Sequence, residues 1–369
     1  MTVRATATYV IAAGGTGGHI FPGIALAREI QSLRPSAVVV FAGTGRGLER
    51  QLVPASGFPL ETVRVSGFAG KSFEHRIAAL AELPLGLIDS WRLLRRHRPR
   101  AVAGLGAYVS VPVIAAARML GIPTVIHESN AMPGVANRFL SRFATRVAVS
   151  LPAANRRLGR PGTQTGTPVR SEFFSVSPLG AAATTRRLLV FGGSQGSAVL
   201  NRAVVEALPQ LRASGVELIL QTGEKHLEAV AGRISSGGTL PPGVRLEAFL
   251  PQLHGELAWA DLVVSRAGAM TVAELSAAGR PAILVPFGSA THGHQRENAR
   301  ALVDAGAARL IEEPDLTGER LTRAVADLLG DRAALVRMGL AARSLSRPDA
   351  ARKLAEMVFE AESTGAESS

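Results

Sequence analysis

Tyr9-Val-Ile-Ala-Ala13 runs straight into Gly14-Gly-Thr-Gly-Gly-His19 and then into a helical spacing of apolar residues, Ile24, Leu26, Ala27 and Ile30. A short apolar run, a glycine turn and an amphipathic stretch read as strand, turn and helix. The next strand is Ala37–Phe41, and further candidates follow at Ala101–Leu105, Thr124–His127 and Arg146–Val149. Helix-length segments such as Val109–Leu120 separate them. Strands alternating with helices predict a parallel sheet covered on both faces.

The pattern then restarts. Arg187-Leu-Leu-Val-Phe191 meets Gly192-Gly-Ser-Gln-Gly196 and a helix over Ala198–Leu208, followed by strands at Glu217–Gln221, Arg245–Phe249, Asp261–Ser265 and Ala282–Val285. Two strand–turn–helix openings in 369 residues fit a length that predicts about two domains at roughly 150 residues each. We expect a first domain over 1–165, a second over 166–346, and a C-terminal segment, 347–369, that crosses back to the first. The joint around 165–185 is rich in Gly, Pro, Ser and Thr, as a hinge requires. The last helix is expected over Arg352–Ala361, with a disordered tail from Glu362.

Composition narrows the classes. With 47% hydrophobic and 19% charged residues the chain can fill two cores, which excludes collagenous and disordered classes. The absence of cysteine removes disulfides, thiolate metal sites and cysteine nucleophiles, and fits a reducing compartment. The first apolar run leads into glycines instead of a cleavage site, so no signal peptide is expected. No uninterrupted apolar stretch of about 18 residues is present to span a bilayer. The net charge of +12 is one-sided: residues 1–170 hold 21 Lys+Arg against 7 Asp+Glu, while residues 171–369 hold 20 against 22. A first half at +14 predicts an anionic partner, with nucleic acid, a membrane surface or a phosphate-rich substrate as candidates.

Each glycine turn presents backbone N–H groups and a helix N-terminus to an anion. Neither turn contains the lysine of a P-loop, so a triphosphatase is not expected. The second strand ends in Gly43-Thr44-Gly45, where a dinucleotide enzyme would carry an acidic residue for the ribose, which argues against NAD or FAD. Polar clusters stand just beyond other strands, at the end of a parallel sheet where ligands bind. They are His127-Glu-Ser-Asn130, Ser265-Arg-Ala-Gly-Ala-Met-Thr-Val-Ala-Glu274 and His292-Gly-His-Gln-Arg-Glu-Asn298. His19 begins a helix, a place that disfavours imidazolium and so keeps the ring neutral, as a general base needs. A carboxylate at Glu274 can accept both hydroxyls of a ribose. His127 and Glu128 lack a third ligand at metal spacing, and no metal site is expected.

Seven motifs, in order, resemble one family. They are Gly14-Gly-Thr-Gly-Gly-His-Ile-Phe-Pro22, Gly104-Leu-Gly-Ala-Tyr-Val-Ser110, His127-Glu-Ser-Asn130, Gly166-Thr-Pro-Val-Arg170, Gly192-Gly-Ser-Gln-Gly196, Arg266-Ala-Gly-Ala-Met-Thr-Val-Ala-Glu274 and His294-Gln295 with Asn298. The family is that of MurG, the peptidoglycan glycosyltransferases that add N-acetylglucosamine to lipid-linked N-acetylmuramyl-pentapeptide, and the resemblance spans about residues 8–360. It implies an α/β chain of GT-B type, two Rossmann-like domains whose parallel sheets face each other across a catalytic cleft. The first domain would serve acceptor and membrane, and the second the UDP-sugar.

Carried over by motif, Ser194 would contact the donor diphosphate, Asn130 and Arg170 would approach the donor from the interdomain side, and Glu274 would hold the ribose. Leu250 would meet the uracil through its backbone, and Ala269, Met270, Thr271, Val272 and Ala273 would line the phosphate end. His294 and Gln295 would reach the sugar hydroxyls, with Thr16, Gly17 and Gly18 completing the donor contacts. Gly14, Gly15, Tyr108 and Asn137 would face the acceptor. The family pattern has leucine where Met270 stands, a swap of similar volume. It has a more polar residue at Ser129 and a more acidic run at His292-Gly293, so the sugar-contacting loop departs most.

The resemblance implies an inverting transfer to a 4-hydroxyl, with His19 as base and Glu128 or His127 as substitutes. A helix N-terminus can neutralise the departing diphosphate, so neither cofactor nor protein-bound metal is required. The partners implied are UDP-N-acetylglucosamine, the lipid-linked acceptor, an anionic membrane surface and other cell-wall synthesis proteins. The expected place is the cytoplasmic face of the membrane, peripherally bound, in the service of cell shape and division.

A membrane contact also has a candidate segment. Residues 71–100 carry Phe73, Ile77, Leu80, Leu87, Trp91 and Leu94 at near-helical spacing, with Lys71, Arg76, Arg92, Arg95, Arg96, Arg98 and Arg100 around them. A UDP-N-acetylglucosamine 2-epimerase on the same fold is the rival, and it has no need of that basic apolar segment. Nucleic acid is not expected, since aromatic residues are few in the basic half and no nucleic-acid motif is present.

Overall fold

A computed structural model describes residues 6–65, 73–182, 184–235, 237–288 and 293–366, with the side chains of 73–81, 365 and 366 outside the description. The expectations placed on Lys71, His292 and the side chains of Phe73, Arg76, Ile77 and Leu80 therefore lie outside the described residues.

The chain divides into two compact units, Met1–Arg170 with Arg347–Ser369, and Ser171–Ser346. In the first unit, β1 (Thr8–Ala12), α1 (Gly17–Leu33), β2 (Val38–Gly43), α2 (Glu49–Ala55), β3 (Leu60–Thr62), α3 (Phe73–His97) and β4 (Ala101–Gly104) follow one another. Then come α4 (Ser110–Met119), β5 (Thr124–Glu128), α5 (Val135–Leu140), β6 (Arg146–Val149) and β7 (Thr163–Gln164). The strands form one parallel sheet in the order β3-β2-β1-β4-β5-β6-β7.

The second unit contains β8 (Arg187–Phe191), α6 (Ala198–Ala213), β9 (Glu217–Gln221), α7 (Leu227–Ile234), β10 (Val244–Glu247), α8 (Leu253–Trp259), β11 (Leu262–Ser265) and α9 (Ala269–Ala278). It continues through β12 (Ala282–Leu284), α10 (His294–Asp304), β13 (Ala308–Leu310), α11 (Gly318–Leu329) and α12 (Arg332–Ser344). Its sheet is also parallel, ordered β10-β9-β8-β11-β12-β13. Central strands such as Val10-Ile11-Ala12 and Leu188-Leu189-Val190 are buried on both faces, which explains their unbroken apolar runs.

Strand order decides where ligands can bind. In each sheet the direction of winding reverses beside the first strand, between β1 and β4 and again between β8 and β11. Loops leaving the carboxyl ends of the two strands at such a reversal diverge to opposite faces and leave a crevice. In the first unit those loops are Ala13–Thr16 and Leu105–Val109; in the second they are Gly192–Ser197 and Arg266–Gly268.

The last helix, α13 (Ala350–Ala366), belongs to the first unit, where Leu354, Ala355, Met357, Val358 and Ala361 join the core beneath β1 and α1. It runs past the expected end at Ala361. The disordered tail expected from Glu362 is thus corrected: Glu362 accepts hydrogen bonds from Tyr9 Oη (2.8 Å) and Arg34 Nη1 (2.6 Å), and these ties extend the helix by more than a turn. Burial beside that carboxylate pushes the Tyr9 phenol up to about 12, so it remains a donor.

The basic amphipathic segment also differs from its expected form. Leu94 is buried and Leu87 packs against the same core, so both belong to the inner face of α3. The outer face carries Leu85, Ile88 and Trp91, with the Arg95 guanidinium 4.7 Å from the Trp91 ring. The spacing of apolar residues alone merges the two faces, because leucines serve both.

Candidate active site

In the first unit, the β1–α1 turn and the loop after β4 meet at His19. Its Nδ1 lies 2.9 Å from the Leu105 carbonyl oxygen, which can only accept, so Nδ1 carries the proton and Nε2 carries the lone pair. Burial holds the His19 pKa below its ordinary 6.5, against the opposing pull of the Leu105 bond and the Glu128 charge. A neutral imidazole with Nε2 unprotonated is the form of a general base. The approach of the loop needs glycine: Gly106 has φ of +93°, and a Cβ there would stand 2.8 Å from His19 Cε1. Ala107 follows at φ +61°, while Ser110 Oγ ties the loop back to the Gly106 and Ala12 carbonyls.

His127 and Glu128, at the end of β5, are placed differently from the substitute-base role expected of them. His127 is buried, its Nε2 donates to the Gly166 carbonyl at 2.9 Å, and its Nδ1 accepts from Ser129 Oγ at 3.3 Å. Both ring nitrogens are engaged by the protein. Burial lowers the His127 pKa as well, so it is a neutral strut joining β5 to the Gly166 turn.

Glu128 is also buried, and four donors from its own loop saturate it. Oε1 accepts from Asn130 N (2.8 Å) and Nδ2 (3.0 Å), and Oε2 from Gly134 N (3.1 Å) and Asn137 Nδ2 (2.9 Å). A carboxylate with all four lone-pair directions filled shapes a loop; it does not abstract a proton. Asn130 and Asn137 are thereby fixed by Glu128, and the buried Asn137 Oδ1 has no hydrogen-bond partner among the described residues. Tyr108 is half-exposed beyond Gly106. Arg170, at the edge of the first unit, lies with its guanidinium 4.7 Å from the Phe21 ring of α1.

The second unit repeats the arrangement with other chemistry. Gly193 adopts φ +86°, matching Gly15 at +81° in the first turn. Ser194 stands at the tip of the turn, partly exposed, and Ser197 caps α6 by accepting from Leu200 N. Arg266, at the end of β11, donates from Nη2 to Ser197 Oγ at 2.8 Å and from Nη1 to the Val285 and Pro286 carbonyls. Its charge pairs with Glu313. Arg266 therefore braces three loops at the crevice, a role its place in the motif did not disclose.

Gly268 precedes α9, and the first turns of that helix carry Ala269, Met270, Thr271, Val272, Ala273 and Glu274. Glu274 and Met270 are buried, whereas Ala269, Thr271 and Ala273 are partly exposed. Leu250 follows β10 by three residues; that strand ends at Glu247, earlier than the expected Phe249, whose ring is half-exposed. Gln295 Oε1 accepts from Phe287 N at 2.9 Å, fixing the start of α10 beside His294 against the loop after β12.

Two parallel α/β units, each with a glycine turn at its strand-order reversal, make up a fold of GT-B type. The chain matches the glycosyltransferase family 28 N-terminal domain over residues 9–149 and the C-terminal domain over 187–354. It is 44% identical over 356 residues, 95% of this chain and 92% of the other, to the UDP-N-acetylglucosamine–N-acetylmuramyl-(pentapeptide) pyrophosphoryl-undecaprenol N-acetylglucosamine transferase of Anaeromyxobacter dehalogenans. The crystal structure of Acinetobacter baumannii MurG superposes with a TM-score of 0.76 at 29% identity, covering 96% of this chain and 99% of that one. The chain belongs to the MurG family of glycosyltransferases. A putative UDP-N-acetylglucosamine 2-epimerase from Listeria monocytogenes shares the fold, with a TM-score of 0.68 at 15% identity over 95% of each chain.

Proposed function

We propose that this protein transfers N-acetylglucosamine from UDP-N-acetylglucosamine to the 4-hydroxyl of a lipid-linked N-acetylmuramyl-pentapeptide, converting lipid I to lipid II. The 44% identity along nearly the whole chain carries this reading. The acceptor hydroxyl attacks the anomeric carbon as the bond from that carbon to the UDP oxygen breaks, which inverts the centre. His19 Nε2 takes the hydroxyl proton. The leaving diphosphate is stabilised by the turn 192–197 and the N-terminus of α6, where backbone N–H groups and the helix dipole favour negative charge. Glu274 holds the ribose, and Leu250 meets the uracil. With donor and acceptor both supplied, UDP release is expected to depend on the acceptor. Release at the same rate from the donor alone would support the epimerase reading instead.

The protein is further proposed to work peripherally at the cytoplasmic face of the membrane. Among the described residues, no helix is long and apolar enough to cross a bilayer. The layer α3–α4–α5 supports a surface contact: Leu85, Ile88, Trp91, Met119, Phe139 and Phe143 are exposed on it. Arginines at 92, 95, 96, 118, 138 and 142 accompany them, and no Asp or Glu occurs between residues 129 and 171. Each cation near an anionic leaflet adds about 1 kcal/mol. Charge reversal at Arg92, Arg95 and Arg96 is therefore expected to weaken co-sedimentation with phosphatidylglycerol vesicles at least 10-fold; unchanged sedimentation would return these arginines to the role of a solvated face.

A further inference from the structure

Glu49 is a fully buried carboxylate that the transfer chemistry above does not use. It opens α2, and three donors converge on it. Oε2 accepts from Gly15 N at 2.7 Å, and Oε1 from Thr44 Oγ1 at 2.6 Å and more weakly from Arg46 N at 3.4 Å. No ion pair to Glu49 occurs among the described residues. The surrounding backbone is shaped to admit it: a Cβ on Gly14 would collide with Oε2, and one on Gly43 would stand 3.0 Å from Oε1. Burying a carboxylate without a cation costs several kcal/mol unless its hydrogen bonds offset the lost water. A residue kept at that cost against Gly15, four residues before His19, calls for a role.

The second unit shows the contrast. Its turn has the same left-handed glycine, Gly193, and the side chain bonded to that turn beside it is a neutral amide, the Gln221 oxygen accepting from Gly192 N at 3.2 Å. Among the described residues, one glycine turn thus holds a built-in anion, and no carboxylate is bonded to its counterpart.

We propose that Glu49 is a positioning residue for His19: its carboxylate occupies the first glycine turn as an internal anion, fixing the turn so that His19 enters α1 in register with the Leu105 carbonyl. The chain of contacts is short. Glu49 sets Gly15, Thr16 N bonds back to the Gly14 carbonyl, and His19 N bonds to the Thr16 carbonyl as the helix begins. A displacement of about 1 Å at a reacting group is worth up to 100-fold in rate. The same occupancy reserves the second turn for the donor diphosphate, because Gly15 N–H already has its acceptor.

The inference rests on the proposed transfer and on His19 as base, so wild-type transfer and His19→Ala are measured first. Absence of transfer by the wild type would sink the proposed function itself. Glu49→Ala is expected to lower kcat about 10- to 100-fold with donor KM within about twofold. Glu49→Gln is expected to lose less than about fivefold, because its amide oxygen still accepts from Gly15 while the Thr44 hydroxyl turns to accept from the amide nitrogen. In the His19→Ala background, both Glu49 losses should shrink to less than about twofold, since the group they position is gone.

A merely structural role would give equal proportional losses in both backgrounds. Equal losses, a donor KM that rises in step with the fall in kcat, a fully active His19→Ala, or no loss in any folded Glu49 variant overturns the proposal. If Glu49→Ala does not fold, the smaller loss in Glu49→Gln must itself vanish in the His19→Ala background.

Discussion

His19→Ala is expected to lower kcat by about 10²–10⁴-fold, the usual contribution of a positioned general base, while donor KM changes by less than about twofold. The split follows from placement. His19 lies in the first unit and its ring bonds to Leu105 of that unit, whereas the turn 192–197 and Glu274 belong to the second. Removing the ring deletes the proton acceptor and leaves the donor half-site intact.

The pH dependence has a definite sign. Burial holds the His19 pKa below 6.5, so the wild-type rate should be flat through neutrality and fall only as the pH drops through that lowered value. The fall should disappear in His19→Ala. Stability follows the same direction: the unfolded chain protonates His19 and His127 at their ordinary pKa near 6.5, before the folded chain does, so acidification below that value favours unfolding. Loss of donor binding with unchanged turnover per bound donor would show that His19 is not the base.

Glu128→Ala is expected to cost about 3–5 kcal/mol in denaturant unfolding, together with most of the activity. Four donors lose their acceptor at once, and the loop from Asn130 to Asn137 loses the group around which it is folded. Glu128→Gln separates this role from proton transfer. Its amide matches the carboxylate in size but accepts at one oxygen only, so two of the four donors lose their acceptor and part of the stability loss remains. It also removes a charge that raises the His19 pKa, so the acid limb of the rate profile of the folded variant should move to lower pH without disappearing. A Glu128→Ala enzyme that stayed within about 1 kcal/mol of wild type yet lost turnover would instead place the carboxylate in the chemistry.

The repeated strand–turn–helix opening was legible because glycine turns and unbroken apolar runs are local signals, and together they marked the inner strands of both sheets; the short strands β3, β7 and β13 at the sheet edges carry no such run and were not expected. The motif positions were legible for the same reason: they fall in loops at the carboxyl ends of strands. What the sequence concealed was which neighbour each polar residue had found. Glu49 stands six residues past the end of β2, where it reads as an ordinary acid in a helix's first turn, and only folding brings it to Gly15. His127 and Glu128 look like spare bases until the Gly166 carbonyl and the 130–137 loop are seen to saturate them. Glu362 looks like the start of a polar tail because its partners, Tyr9 and Arg34, lie more than 300 residues away. Leu87 and Trp91 share a spacing but not a face, since a core on one side of α3 takes the first and solvent the second.

The two similar glycine turns divide the work between them in this reading, and a structure with UDP-N-acetylglucosamine bound decides the point. The diphosphate is expected at residues 192–197 and the N-terminus of α6, with the ribose hydroxyls on Glu274 and Gly15 N–H still bonded to Glu49. A diphosphate seated on Gly14–Gly18, with Glu49 displaced, would contradict it.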